Sequence, residues 1–169
     1  MLLTLISFLV SCTNGNKTLK DDSFDKNIRK QAVKVAEIFA MSQLRDTKRT
    51  KSKNGLVIIS ADDSKYLIDP SKIVTGKIDE DTTKDAIVPV YIFRNQTLAR
   101  TEHLILINKD KKFRIVKVLD SEMKVLAIKE RVIYIEISKI ASDSPNYGCN
   151  ICKEIIKYRF TGDSLSKIK

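Results

Sequence analysis

Ala86-Ile87-Val88-Pro89-Val90-Tyr91-Ile92-Phe93-Arg94, followed after Asn95-Gln96 by Thr97-Leu98-Ala99-Arg100-Thr101-Glu102-His103-Leu104-Ile105-Leu106-Ile107-Asn108, decides the fold. Both runs are dense in β-branched and aromatic residues, and the polar pair between them is too short for anything but a hairpin. Strands joined that way pair antiparallel. The same reading recurs on either side. Upstream, Asn54-Gly55 is a turn signal before a first strand at Leu56-Val57-Ile58-Ile59, and further strands are expected at Lys65 to Ile68 and Ile73 to Lys77. Downstream, Lys109-Asp110-Lys111 and Asp120-Ser121-Glu122 separate strands at Phe113 to Leu119, Met123 to Ile128, Arg131 to Ile140 and Glu154 to Thr161. Ile133, Ile135 and Ile137 fall on one face of their strand, and Tyr134 and Glu136 on the other, so one face is core.

Before this region, Ile28, Ala32, Val35, Ala36, Phe39 and Leu44 recur at helical spacing with Lys and Arg opposite, which predicts an amphipathic helix from about Asp25 to Arg45. Such a face packs on a sheet; a basic amphipathic helix can also lie on a membrane surface. The expected fold class is α+β: one N-terminal amphipathic helix packed on a curved, mainly antiparallel meander sheet, as a single domain over residues 25–169. With 43% hydrophobic residues the chain has the material for a real core.

The first twelve residues, Met1-Leu2-Leu3-Thr4-Leu5-Ile6-Ser7-Phe8-Leu9-Val10-Ser11-Cys12, form an apolar run that gives way to Thr13-Asn14-Gly15-Asn16-Lys17. It is shorter than the roughly 20 residues a spanning helix needs, but has the length of a signal-peptide apolar region. Its end, Leu9-Val10-Ser11-Cys12, resembles the lipobox of bacterial lipoproteins. That resemblance implies cleavage before Cys12, a thioether lipid on its sulfur, acylation of the freed amine, and a place in the bacterial cell envelope, with the outer membrane expected. Residues 1–11 would be the signal peptide and residues 12–24, polar and rich in Asn, Lys, Asp and Ser, a lipidated flexible tether.

The formal net charge of +10 points to anionic surfaces, either lipid headgroups or acidic glycans, although Lys dispersed among Asp and Glu is also how an ordinary solvated surface looks. Nucleic acid is not expected, because no Arg-rich stripe interleaved with aromatics appears. Export makes a short-range disulfide the expected state of Cys149 and Cys152; a redox pair, or a zinc site completed by His103, are the other readings. The turn-like stretch Ala141 to Gly148 places Tyr147 beside the cysteines as a possible partner contact.

Gly76-Lys77-Ile78-Asp79-Glu80-Asp81-Thr82-Thr83-Lys84-Asp85 sets three aspartates in a turn before a strand. Alternating carboxylates in a tight loop suit calcium, which takes six to eight oxygen ligands. The segment resembles a degenerate calcium loop of FG-GAP and VCBS repeats, which places Asp79, Asp81 and Asp85 on ligand positions. Lys77, Glu80 and Thr82 depart from that pattern, and the alternative is that the aspartates cap the turn through backbone N–H groups. No phosphate loop, nucleophile elbow or His-Glu-x-x-His helix is present, and His103 is the one histidine. The function expected is a non-enzymatic binding or structural module at the envelope, with an immunity or inhibitor lipoprotein, a calcium-binding surface module and an envelope hydrolase as alternatives. The partners expected are the membrane through the lipid and a protein or anionic envelope component.

Overall fold

The computed structural model describes residues 17–52, 54–120, 123–139, 152–161 and 164–168, with side chains from Asp25 onward. Among the described residues one helix, α1 (Lys17–Ser42), precedes eleven strands: β1 (Lys48–Lys51), β2 (Val57–Ala61), β3 (Ser64–Ile68), β4 (Val74–Gly76), β5 (Asp85–Arg94), β6 (Thr97–Lys109), β7 (Lys112–Asp120), β8 (Lys124–Lys129), β9 (Val132–Ser138), β10 (Lys153–Thr161) and β11 (Ser164–Ile168). A short 3-10 turn, Pro70–Lys72, joins β3 to β4. Every strand pairing is antiparallel.

The expected architecture, one N-terminal helix packed on antiparallel strands, is present, with the strands divided between two sheets. The first runs β1-β2-β3-β5-β6-β7 with β4 also on β5, and the second runs β11-β10-β9-β8. The chain leaves the first sheet after Asp120 and starts the second at Lys124, so Asp120-Ser121-Glu122 links two sheets and does not close a hairpin. Other departures are at the edges: β1 and β11 are strands that the sequence pattern does not mark, and α1 begins at Lys17, inside the segment read as a tether.

This layering explains the unbroken apolar runs of β5 and β6. Ala86, Val88, Val90 and Ile92 of β5, with Leu104 and Leu106 of β6, pack on one side with Ala32, Ala36 and Ala40 of α1. Ile87, Ile105 and Ile107 point the other way and pack with Ile128, Ile133, Ile135 and Phe160 of the second sheet. A strand buried on both faces has no polar side to show, so alternation disappears from its sequence. The small alanines let the helix backbone approach the sheet closely.

Local geometry supports each turn. Asn95-Gln96, Asp110-Lys111 and Glu130-Arg131 all have positive φ at both residues, the geometry that matches the twist of paired strands. A register shift between Ile105 and Leu106 inserts an extra residue in β7, so Phe113 and Ile115 pack on the helix side while Leu119 packs toward the second sheet. Gly76 lets β4 lie directly against β8: a β-carbon there would stand 2.6 Å from Ile128 Cβ and 2.8 Å from its carbonyl oxygen. Asp25 ties the helix to the sheet, its carboxylate accepting from Thr75 Oγ1 at 3.1 Å and meeting Lys84 Nζ at 3.0 Å.

Candidate functional site

A concavity with a volume of about 830 Å³ lies between α1 and the β1–β2 hairpin. Its two walls follow from two periodicities. On the helix, residues spaced three and four apart bring Lys26, Lys30, Val33, Lys34 and Glu37 to one flank. On β1, alternate residues share a face, so Arg49 and Lys51 stand together, paired in register with Ile59 and Val57. Val33, Val57 and Pro70 supply apolar lining, and Arg29 closes one side by donating to the Pro70 carbonyl at 3.3 Å.

Six cations therefore line the groove against two carboxylates, Asp25 and Glu37. Both carboxylates are already engaged. Glu37 accepts a two-pronged contact from Arg49, Nε to Oε2 at 3.0 Å and Nη2 to Oε1 at 2.8 Å, which raises the guanidinium pKa above its ordinary value. Asp25 is shared among Thr75, Lys84 and Arg29. The cations come from two elements, α1 and β1. This arrangement suits an extended anionic surface with apolar elements.

The aspartate loop is organised by backbone hydrogen bonds. Asp85 is fully buried. Its Oδ2 accepts from Ile78 N at 2.6 Å and Asp79 N at 3.4 Å, and its Oδ1 accepts from Asn108 N at 3.0 Å. Burial raises its pKa, partly opposed by the Asn108 and Ile78 amides. Asp79 accepts from Asp81 N at 3.0 Å, and Asp81 accepts from Thr83 N at 2.7 Å, the latter with its pKa lowered chiefly by the Thr83 hydroxyl. Among the described residues no group of three His, Cys, Asp or Glu side chains is placed to hold a metal ion. Asp79, Asp81 and Asp85 are thus near in sequence but not gathered into a ligand cluster; what they hold is the turn itself.

His103 is 3% exposed and lies on the face of β6 away from α1. Its ring lines a cleft of about 510 Å³ with Tyr91, Thr101, Lys72 and Lys124 beside Pro89, Leu98, Met123 and Val125. Among the described residues no carboxylate lines that cleft. His103 Nδ1 is buried with no hydrogen-bond partner among the described residues, and burial lowers the ring pKa to about 4. Its sequence neighbour Glu102 points to the opposite face, where Oε1 meets Arg100 Nη2 at 2.7 Å and its charge helps to raise the pKa of Tyr66, after burial.

Cys12, Tyr147 and Cys149 lie outside the described residues. Cys152 stands half-buried just before β10, its carbonyl accepting from Lys139 N at 2.7 Å, and no disulfide occurs among the described residues. No described helix is long and apolar enough to cross a membrane. The groove is not legible in the sequence: the helix stripe reads there only as charge opposite a core face, and nothing local pairs it with Arg49 and Lys51. Comparison with protein-family models, with curated proteins and with solved structures finds no match for this chain.

Proposed function

We propose that this chain is a bacterial envelope lipoprotein, held to its membrane through Cys12, and that its folded part is a non-enzymatic module for binding an anionic partner. The observation that carries the reading is the groove between α1 and β1–β2, where six cations stand over an apolar lining and both acidic groups are already paired. A net charge of +10 spread at random gives a solvated surface; here part of it is concentrated along one concave face. The apolar run ending at Cys12 supports the anchor, because it has the length of a signal-peptide apolar region and ends on a thiol that can carry lipid.

Both halves are testable in cells. Labelled palmitate should be incorporated by the full chain and lost in Cys12→Ser, and the variant should leave the membrane fraction. Retention of envelope partners by the full chain should fall sharply in the double reversal Lys30→Glu with Lys34→Glu, at unchanged thermal stability. Label independent of Cys12 refutes the anchor, and undiminished retention refutes the groove.

A further inference from the structure

Helical residues advance by about 100° each, which places Lys26, Lys30, Lys34, Ile38 and Met41 within one outward third of α1. All five are exposed. They lie opposite the buried Ile28, Ala32, Ala36 and Ala40, so the helix has already met its packing needs without them. Ile38 and Met41 are nevertheless 61% and 44% exposed, large aliphatic side chains continuing a stripe of ammonium groups. Lysines beside unpacked aliphatics on one exposed helix face supply both attraction to anionic headgroups and shallow apolar insertion, and the three lysines are at the same time the helix-side rim of the groove.

We propose that this face of α1 docks on anionic phospholipid headgroups, with Lys26, Lys30 and Lys34 against the phosphates and Ile38 and Met41 entering the headgroup boundary. Charge complementarity selects the lipid class. Nearness selects a membrane over a soluble acidic partner, and this clause rests on the proposed anchor: Cys12 and Lys17 are five residues apart, a span of at most about 18 Å at full extension. A lipid on Cys12 therefore holds the start of α1 close to the bilayer, and the cationic end of the stripe is the end nearer the anchor. Docking would fix how the domain stands on its membrane, with Arg49 and Lys51 across the groove extending the same positive field.

The chain contains no tryptophan, so a single introduced indole reports one place only. The full chain carrying Ile38→Trp, purified from membranes, is placed in vesicles of phosphatidylcholine alone or of an equimolar mixture with phosphatidylglycerol. The expected result is a blue-shifted emission, quenched by acyl-brominated lipid, in the phosphatidylglycerol vesicles alone. Leu98→Trp, exposed and on a strand, should stay unshifted in both. In the unlipidated Cys12→Ser background, adding Lys30→Glu and Lys34→Glu should weaken binding to phosphatidylglycerol vesicles by about 25-fold or more, given about fivefold for each basic charge lost. Identical emission from the I38W protein in the two vesicle types overturns the proposal. So does an equal shift in the L98W protein, which marks general adsorption, or an I38W shift obtained with polyglutamate and not with lipid, which marks an acidic polypeptide partner. Failure of the anchor looks different: the chain then does not float with phosphatidylcholine vesicles, while the I38W shift on phosphatidylglycerol persists.

Discussion

Acidification should unfold this protein through one ring. His103 is the only histidine, is 3% exposed, and has its pKa lowered by burial to about 4 from an ordinary 6.5. The unfolded chain therefore takes up a proton near pH 6.5 that the native chain refuses until near pH 4, and unfolding binds protons throughout that window. By linkage, stability falls as pH drops from 6.5 toward 4. The gap of about 2.5 pK units, at 1.36 kcal/mol each, corresponds to about 3 kcal/mol in full and about 2 kcal/mol by pH 5. Native proteins hold about 5–15 kcal/mol in all, so a loss of that size moves a urea midpoint visibly. The assay is urea unfolding at pH 7, 6, 5 and 4 for the wild type and for His103→Gln. Asp85, whose pKa is raised, acts in the opposite sense above pH 3.8, and Asp81, whose pKa is lowered, loses stability below it. Both are common to the two proteins and drop out of the difference. Equal pH slopes for wild type and His103→Gln between pH 7 and 5 would refute the reasoning.

Asp85→Asn keeps the shape of the side chain but turns one acceptor into a donor against amides that are themselves donors, at a cost of about 2–3 kcal/mol by chemical denaturation; Asp85→Ala, which leaves all three amides bare, should cost more. Gly76→Ala forces β8 away from β4, since the new methyl would meet the Cβ and carbonyl of a buried Ile128; about 1–3 kcal/mol of destabilisation is expected, read as a lowered melting temperature. Because the loop carboxylates are spent on amides, calcium or a chelator should leave the melting temperature unchanged, and a rise with calcium that is lost in Asp81→Asn would show that the loop rearranges around an ion.

The antiparallel strands could be read from sequence wherever burial left a chemical mark. Ile133, Ile135 and Ile137 announce a one-sided strand, and the runs of β5 and β6 announce a hairpin, while their burial on both faces comes into view only with the second sheet. Where burial leaves no mark, the sequence is silent. Lys48-Arg49-Thr50-Lys51 is exposed at every position, and its strand exists because β2 offers an edge. The division into two sheets was hidden because a polar triplet at 120–122 looks the same whether it reverses a strand or passes it to another layer. The groove is hidden for a related reason: its cations come from elements whose sequences carry no sign of each other. Asp85 differs from Asp79 and Asp81 in being fully buried and in holding amides from both sides of the turn, the Asn108 amide among them, which pairing of β5 with β6 brings to it.

The two sheets divide in sequence where they divide in space: the helix and the larger sheet are complete at Asp120, and the smaller sheet is made wholly of residues beyond it. A chain released N-terminus first can build its larger half with Ile87, Ile105 and Ile107 still bare to water, and the final third then arrives as a lid made of neighbouring hairpins. A nascent or truncated product ending near residue 120 would thus leave Ile87, Ile105 and Ile107 uncovered, an adhesive face that a chaperone would have to shield.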